Sequence, residues 1–191
     1  GSSIYIDLGE VISRKDLLYG LMLRSGNDCA MSLAMFVSGN VSSFVDKMNL
    51  KAKEIGMVNS LFRNPSGLDE NDGGNLSTCY DLALLMEEAM KNEVFRIIVN
   101  TKRYIAENDR IWMNKYKLLF NYEYANGGNT GSTQLAGKTL VTSASKDDFE
   151  TIVVSFKEHE YFDLHEELHQ SIYDSYNLIR LIDEGKYKVL G

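Results

Sequence analysis

Ser25-Gly26-Asn27-Asp28 gathers a hydroxyl, a carboxamide and a carboxylate around one glycine. Between two helices such a turn lifts the hydroxyl and the carboxamide into a cleft, although the same residues also make an ordinary helix stop. A second group is Gly127-Gly128-Asn129-Thr130-Gly131-Ser132. Its glycines admit a ligand close to the backbone, and free N–H groups beside them suit an oxyanion or an extended peptide. A third group, His165-Glu166-Glu167-Leu168-His169, is a literal His-Glu-x-x-His. On a helix the two histidines fall one turn apart on one face, which suits zinc, with Glu166 placed as a base. The last group, Ser143-Ala144-Ser145-Lys146, is the sole Ser-x-x-Lys in the sequence.

The elements that must position these groups change character half-way along. Residues 4–8 alternate like a short strand, and Ser13, with Asp16 three residues on, predicts an N-cap and a helix that stops at Ser25-Gly26-Asn27. Residues 28–38 are apolar nearly all round, which predicts an interior helix. Another helix follows over 41–55, a turn-rich loop over 64–76, a helix capped by Ser77, and a short one near 93–99. Beyond these, residues 104–112 read as a hairpin around Asn108-Asp109. Strands are predicted over 133–145 and 149–156, turning at Lys146-Asp147-Asp148. Ile152-Val153-Val154 is apolar on consecutive residues, so both faces of that strand should be covered. A last helix over 162–183 carries Leu164, Leu168, Ile172, Tyr176 and Ile179 on one side. The sum is an α+β chain, a helical block and a small antiparallel sheet backed by a C-terminal helix, expected to form a single domain over residues 1–191.

Composition narrows the function. A net charge of −7 with a pI near 5.0 gives nucleic acid and anionic lipid no attraction. No apolar stretch has the length of a membrane span, and residues 1–12 do not read as a signal sequence. Cys29 and Cys79 are too few for a disulfide framework and are expected to be small buried thiols. No cofactor is expected.

Several short motifs occur in one order. Ser25-Gly26-Asn27-Asp28 is followed by Asn64-Pro65-Ser66-Gly67-Leu68 and Ser77-Thr78-Cys79-Tyr80-Asp81-Leu82-Ala83. Then come Trp112-Met113-Asn114-Lys115 with Leu118-Leu119, Gly128-Asn129-Thr130-Gly131 and Leu140-Val141-Thr142-Ser143-Ala144. This ordered set resembles the serine-type D-alanyl-D-alanine carboxypeptidases of the penicillin-binding family, over nearly the whole chain. The resemblance implies a β-lactamase/transpeptidase-like fold, here partial. It also implies removal of the terminal D-alanine from peptidoglycan stem peptides through a serine acyl-enzyme, the species that β-lactams trap, and a place in the cell envelope outside the cytoplasm.

Position by position, the resemblance gives Ser25 and Asn27 the proton-transfer and amide-holding roles of Ser-x-Asn. Thr130 would bind the substrate carboxylate, Gly131 would allow close approach, and the Ser132 N–H would be an oxyanion donor. Three departures qualify it. The family's helix-borne Ser-x-x-Lys lies upstream of the matching region, and Ser143–Lys146 falls at a strand turn that cannot pair serine with lysine, so the chain is expected to lack the nucleophile. Asn129 stands where the family has the lysine of Lys-Thr-Gly. An amide donates a hydrogen bond without a charge, which weakens a carboxylate site by about 1 kcal/mol or more. Tyr116 replaces an asparagine of Asn-x-Asn-x-Leu-Leu.

Two other readings stand beside this one. A non-catalytic D-Ala-D-Ala-binding module would use the same cleft. A zinc peptidase would use His165, Glu166 and His169, with Asp174, Asp183 or Glu184 as third ligand, but Leu164 and Leu168 turn a nearby helix face to the core, so no metal site is expected. Strand 149–156, left unpaired on one side and apolar, would favour dimerisation or strand exchange.

Overall fold

The structure is a computed structural model that describes residues 1–71 and 73–179. Five helices come first: α1 (Arg14–Arg24), α2 (Asn27–Ser38), α3 (Val41–Glu54), α4 (Cys79–Met90) and α5 (Glu93–Val99). Side chains open most of them. Ser13, Asn40, Thr78 and Asn92 accept hydrogen bonds from the N–H groups of Asp16, Ser43, Asp81 and Phe95, which satisfies donors that the first turn leaves free. Thr78, not Ser77, caps α4, because Ser77 turns its hydroxyl to Ser60, 2.7 Å away. Asp16 does not close a capping box either: its buried carboxylate accepts from the Tyr104 hydroxyl at 2.6 Å and the Glu107 N–H at 3.1 Å. It ties α1 to the later hairpin.

That hairpin is β1 (Arg103–Ile105) with β2 (Ile111–Met113), and a short helix α6 (Leu118–Asn121) follows. The main sheet is antiparallel in the order β3 (Ala125–Thr133), β4 (Gly137–Lys146), β5 (Phe149–Phe156), and α7 (Tyr161–Ser175) closes the described chain. Asp147 and Asp148 both take positive φ in the β4–β5 turn, as a two-residue hairpin requires. Packing on β5 comes from α4 and α7. Ile152 joins the cluster of Met86, Met90 and Val99, while Thr151 reaches Tyr173 and His169 of α7. Both faces of the apolar run are therefore covered, as the sequence predicts.

Five further expectations need correction. Residues 4–8 form no strand: the N–H groups of Ile4 and Ile6 donate to the Asp28 carboxylate instead of to a neighbouring strand. Helix α2 is not interior, since only Cys29, Ala30 and Ala34 are buried, and Met35, Phe36 and Val37 are at least half exposed. Cys79 is exposed at the first turn of α4. The strand expected over 133–145 is β4, which starts at Gly137, and a further strand, β3, precedes it, with the chain turning over residues 134–136. Helix α7 ends at Ser175 rather than near 183, although 180–183 fall outside the described residues. Its buried side is His165, His169 and Tyr173, while Leu168, Tyr176 and Ile179 are exposed.

Candidate functional site

Ser25 adopts φ 57°, ψ 42°, the left-handed conformation, and its N–H closes α1 onto the Gly20 carbonyl. The turn is tight around one sulfur. A β-carbon on Gly26 would lie 2.9 Å from Cys29 Sγ, and one on Gly20 2.7 Å from it. Burial, reinforced by Asp28, raises the Cys29 thiol to about 12, so it is a packing group and no nucleophile. Asn27 opens α2 and donates its N–H to the Ser2 carbonyl at 2.9 Å. Asp28 next to it is saturated by Ser3 Oγ and the N–H groups of Ile4, Ile6 and Cys29. Burial disfavours its charge, yet these donors outweigh that and hold its carboxyl below the usual range. The Asp28 carboxylate thus clamps residues 3–6 against the turn, while Ser25 and Asn27 stay partly exposed. A cleft of about 480 Å³ runs from Asn27 and Met31 to Asn64, Leu68 and Asp69.

The second group lies within β3, not ahead of it. Its root is fixed on both faces, because a β-carbon on Gly127 would meet Val99 Cγ2 at 2.8 Å, and one on Gly128 would meet the Tyr116 ring at 2.8 Å. Gly127 thus packs against the helical block and Gly128 against Tyr116. Alternation along a strand then puts Asn129 and Gly131 on the side of Gly127, and Thr130 on that of Gly128. Gly131 faces Thr139 across the ladder, where a β-carbon would come within 2.6 Å of the Thr139 hydroxyl. Asn129, Gly131 and Ser132 are exposed, and Thr130 is half-buried. β3 is an end strand of its sheet, so one of its edges is free of pairing among the described residues.

No hydrogen bond among the described residues joins Ser25 or Asn27 directly to residues 129–132. Asn114-Lys115-Tyr116 spans between them. Asn114 anchors the span, donating to the carbonyls of Val99 and Thr101 and accepting from the Tyr116 N–H. The Lys115 N–H donates to the Leu23 carbonyl at 3.2 Å, and its Nζ donates to Ser2 Oγ at 2.9 Å. Burial, then the nearby Arg24, lowers the Lys115 pKa from its ordinary value. Tyr116 is 1% exposed beneath Gly128. In the sequence Tyr116 is visible only as a departure from the motif, and Lys115 only by its place inside the Trp112–Lys115 motif.

Two other motifs lose their chemical reading. Ser143 and Lys146 lie on β4, where an odd spacing sends them to opposite faces; Ser143 is 1% exposed and Lys146 lies over the Tyr124 ring. His165 and His169 are 0% exposed and form part of a continuous hydrogen-bonded line. Ser155 Oγ meets His165 Nε2, His165 Nδ1 meets Thr142 Oγ1, and Thr142 Oγ1 meets His169 Nε2, each at 2.8 Å. His169 Nδ1 then meets Thr151 Oγ1 at 2.7 Å, which meets the Tyr173 hydroxyl at 2.8 Å. All four ring nitrogens are thus taken by hydroxyls, and burial lowers both histidines to about 4, with His169 adding to the effect on His165. Glu166 lies instead in an acidic surface groove with Asp163, Glu167 and Asp174. Asp183 and Glu184 are outside the described residues. The motif is a buried support for the sheet, and these residues do not make a zinc centre.

A family model described as D-alanyl-D-alanine carboxypeptidase matches residues 1–160. The chain belongs to the D-alanyl-D-alanine carboxypeptidase family. Among curated members of that family, it is 38% identical over 160 residues to DacF of Bacillus subtilis, covering 82% of this chain and 41% of DacF. It is 36% identical over 160 residues to the D-alanyl-D-alanine carboxypeptidase of Streptomyces sp. strain K15, covering 76% and 54%. The chain therefore spans about half the length of these curated carboxypeptidases. Its fold matches the crystal structure of a Mycobacterium tuberculosis D-alanyl-D-alanine carboxypeptidase with a TM-score of 0.85 at 31% identity, over 92% of this chain and 69% of that one. The α+β architecture of helical block, antiparallel sheet and C-terminal helix is thus a partial β-lactamase/transpeptidase-like fold, as the ordered motifs imply.

Proposed function

We propose that residues 1–191 form the substrate-holding part of a serine D-alanyl-D-alanine carboxypeptidase acting on peptidoglycan stem peptides outside the cytoplasm. The observation that carries this is the presence, in a chain of this family, of the partly exposed Ser25–Asn27 turn together with an end strand that offers Thr130 and Gly131 beside an edge free among the described residues. In this reading an extended D-Ala-D-Ala terminus lies along β3, with Thr130 at its carboxylate and the Ser132 N–H at the developing oxyanion. Ser25 and Asn27 hold the peptide amide and relay the proton. A serine oxygen bonds to the penultimate carbonyl carbon, the C–N bond breaks, and the departing D-alanine nitrogen takes the proton; water then cleaves the ester.

Residues 1–191 place no Ser-x-x-Lys on a described helix, so in this reading the nucleophile comes from outside them and the chain alone forms no acyl-enzyme. Asn129 favours a second reading, a module that binds D-Ala-D-Ala without cleaving it, because the strand lacks the lysine of Lys-Thr-Gly. Fluorescent penicillin separates the two. The carboxypeptidase reading expects covalent labelling of the full gene product and none of residues 1–191. An unlabelled full-length protein that still binds D-Ala-D-Ala peptides in a calorimeter would leave the binding module.

A further inference from the structure

With Asn129 in place of the lysine, positive charge beside the Ser25 turn comes from other residues. Two cations flank the Ser25 turn. Arg24 precedes Ser25 and donates from Nη1 to the Met113 carbonyl at 3.3 Å. Lys115 lies two residues beyond Met113, its N–H on Leu23, its ammonium on Ser2 Oγ at 2.9 Å, and the Ser2 carbonyl in turn on Asn27. Neither cation forms an ion pair among the described residues. Asp28, the adjacent carboxylate, is already committed to Ser3, Ile4, Ile6 and Cys29.

Two like charges, one on a backbone carbonyl and one on the Ser2 hydroxyl, both half-buried and neither paired with a carboxylate among the described residues, favour an anion between them. The depressed Lys115 pKa, caused by burial and then by Arg24, is consistent with that arrangement. The position is also suitable, because the next residue, Tyr116, packs under Gly128, on the face of β3 that carries Thr130. A cation at 115 therefore lies in the span that is tied to the end of α1 through Leu23 and to β3 through Tyr116.

We propose that Lys115, seconded by Arg24, supplies the charge that binds the terminal carboxylate of the D-Ala-D-Ala peptide, in place of the lysine absent at Asn129. The inference rests on the carboxypeptidase reading for the identity of the ligand. Thr130 keeps its hydrogen bond to the same carboxylate, and Asn129 contributes a neutral donor at most.

The test is calorimetric titration of residues 1–191 with N-acetyl-D-Ala-D-Ala as the free acid and as its C-terminal amide. The acid should bind wild type more tightly than the amide, and Lys115→Met should cost the acid roughly tenfold while leaving the amide unchanged. Lys115→Gln should behave like Lys115→Met, which guards against one badly folded variant, and Lys115→Arg should retain the preference. Equal binding of acid and amide by wild type, or an unchanged acid affinity in folded Lys115→Met and Lys115→Gln, would overturn the proposal. If wild type binds neither peptide, the substrate reading fails, and sodium acetate then decides the site by itself. A saturable shift of the Lys115 side-chain NMR resonance with acetate supports an anion site there, whereas an unmoved resonance disposes of it.

Discussion

Gly128 shows how one missing side chain can define a site. Its α-carbon lies so close to the Tyr116 ring that an added methyl would meet three ring carbons within 2.9 Å. Tyr116 is buried and cannot swing away, so Gly128→Ala should force β3 outward and destabilise the protein by about 1–3 kcal/mol. Urea unfolding measures this; a midpoint equal to wild type would show that the ring yields. Tyr116→Phe should cost about 1 kcal/mol or less, because the buried hydroxyl has at most the Thr142 hydroxyl to lose and no partner in good hydrogen-bond geometry. The motif order includes Gly128 just ahead of the candidate residues Asn129 to Ser132, but Tyr116 beneath it cannot be read from sequence. A phenol twelve positions away in the chain becomes its neighbour only through the turn after β2. Ser25 was readable as a helix stop because the left-handed conformation is a local property, whereas the grip of Asp28 on residues 3–6 depends on a fold-back that no periodicity records.

Elements were legible where caps and turn residues fix them and illegible where burial had to be inferred from composition. The Asp147-Asp148 turn and the short α5 were read correctly because turn and cap chemistry is local. No strand is predicted over β3, since glycines at 127, 128 and 131 are poor strand formers, and only pairing with β4 makes them one. α2 was read as interior because it is apolar nearly all round, yet Met35, Phe36 and Val37 face outward. On α7 the apolar residues suggested one face and the buried histidines occupy another, since hydroxyls on β4 and β5 satisfy the imidazoles. β5 pairs only with β4 among the described residues, so its other edge offers unpaired backbone groups beside apolar side chains. Such edges recruit other strands. Residues 1–191 should therefore self-associate as concentration rises, seen as a growing sedimentation coefficient; a single monomer boundary from micromolar to millimolar protein would refute strand pairing through β5.

Across the whole molecule, the helical block and the sheet meet through α4 on β5, α5 on β3 and the Asn114–Tyr116 span, while α7 backs the sheet. The histidine line makes that backing sensitive to acid. Both imidazoles have folded pKa values of about 4 against an ordinary 6.5, so the unfolded chain takes up protons first as pH falls. Stability is complete above pH 6.5 and drains away as pH falls from there towards 4, by about 2–3 kcal/mol per histidine. Thermal melts between pH 7.5 and 4.5 should show this slope, and His165→Asn with His169→Gln should flatten it; an unchanged slope would place the acid sensitivity elsewhere. The same line also couples its members by proton count. Thr142 has one hydrogen for two imidazole neighbours at 2.8 Å, and the Val153 carbonyl, at 3.5 Å, is a poorer recipient. The shorter bonds favour one ring giving to the threonine while the other receives, in which case His165 and His169 carry the same tautomer. A reversal at either ring runs through every link from Ser155 to Tyr173, which makes β4, β5 and α7 share a single two-valued variable in place of independent hydroxyl and ring orientations.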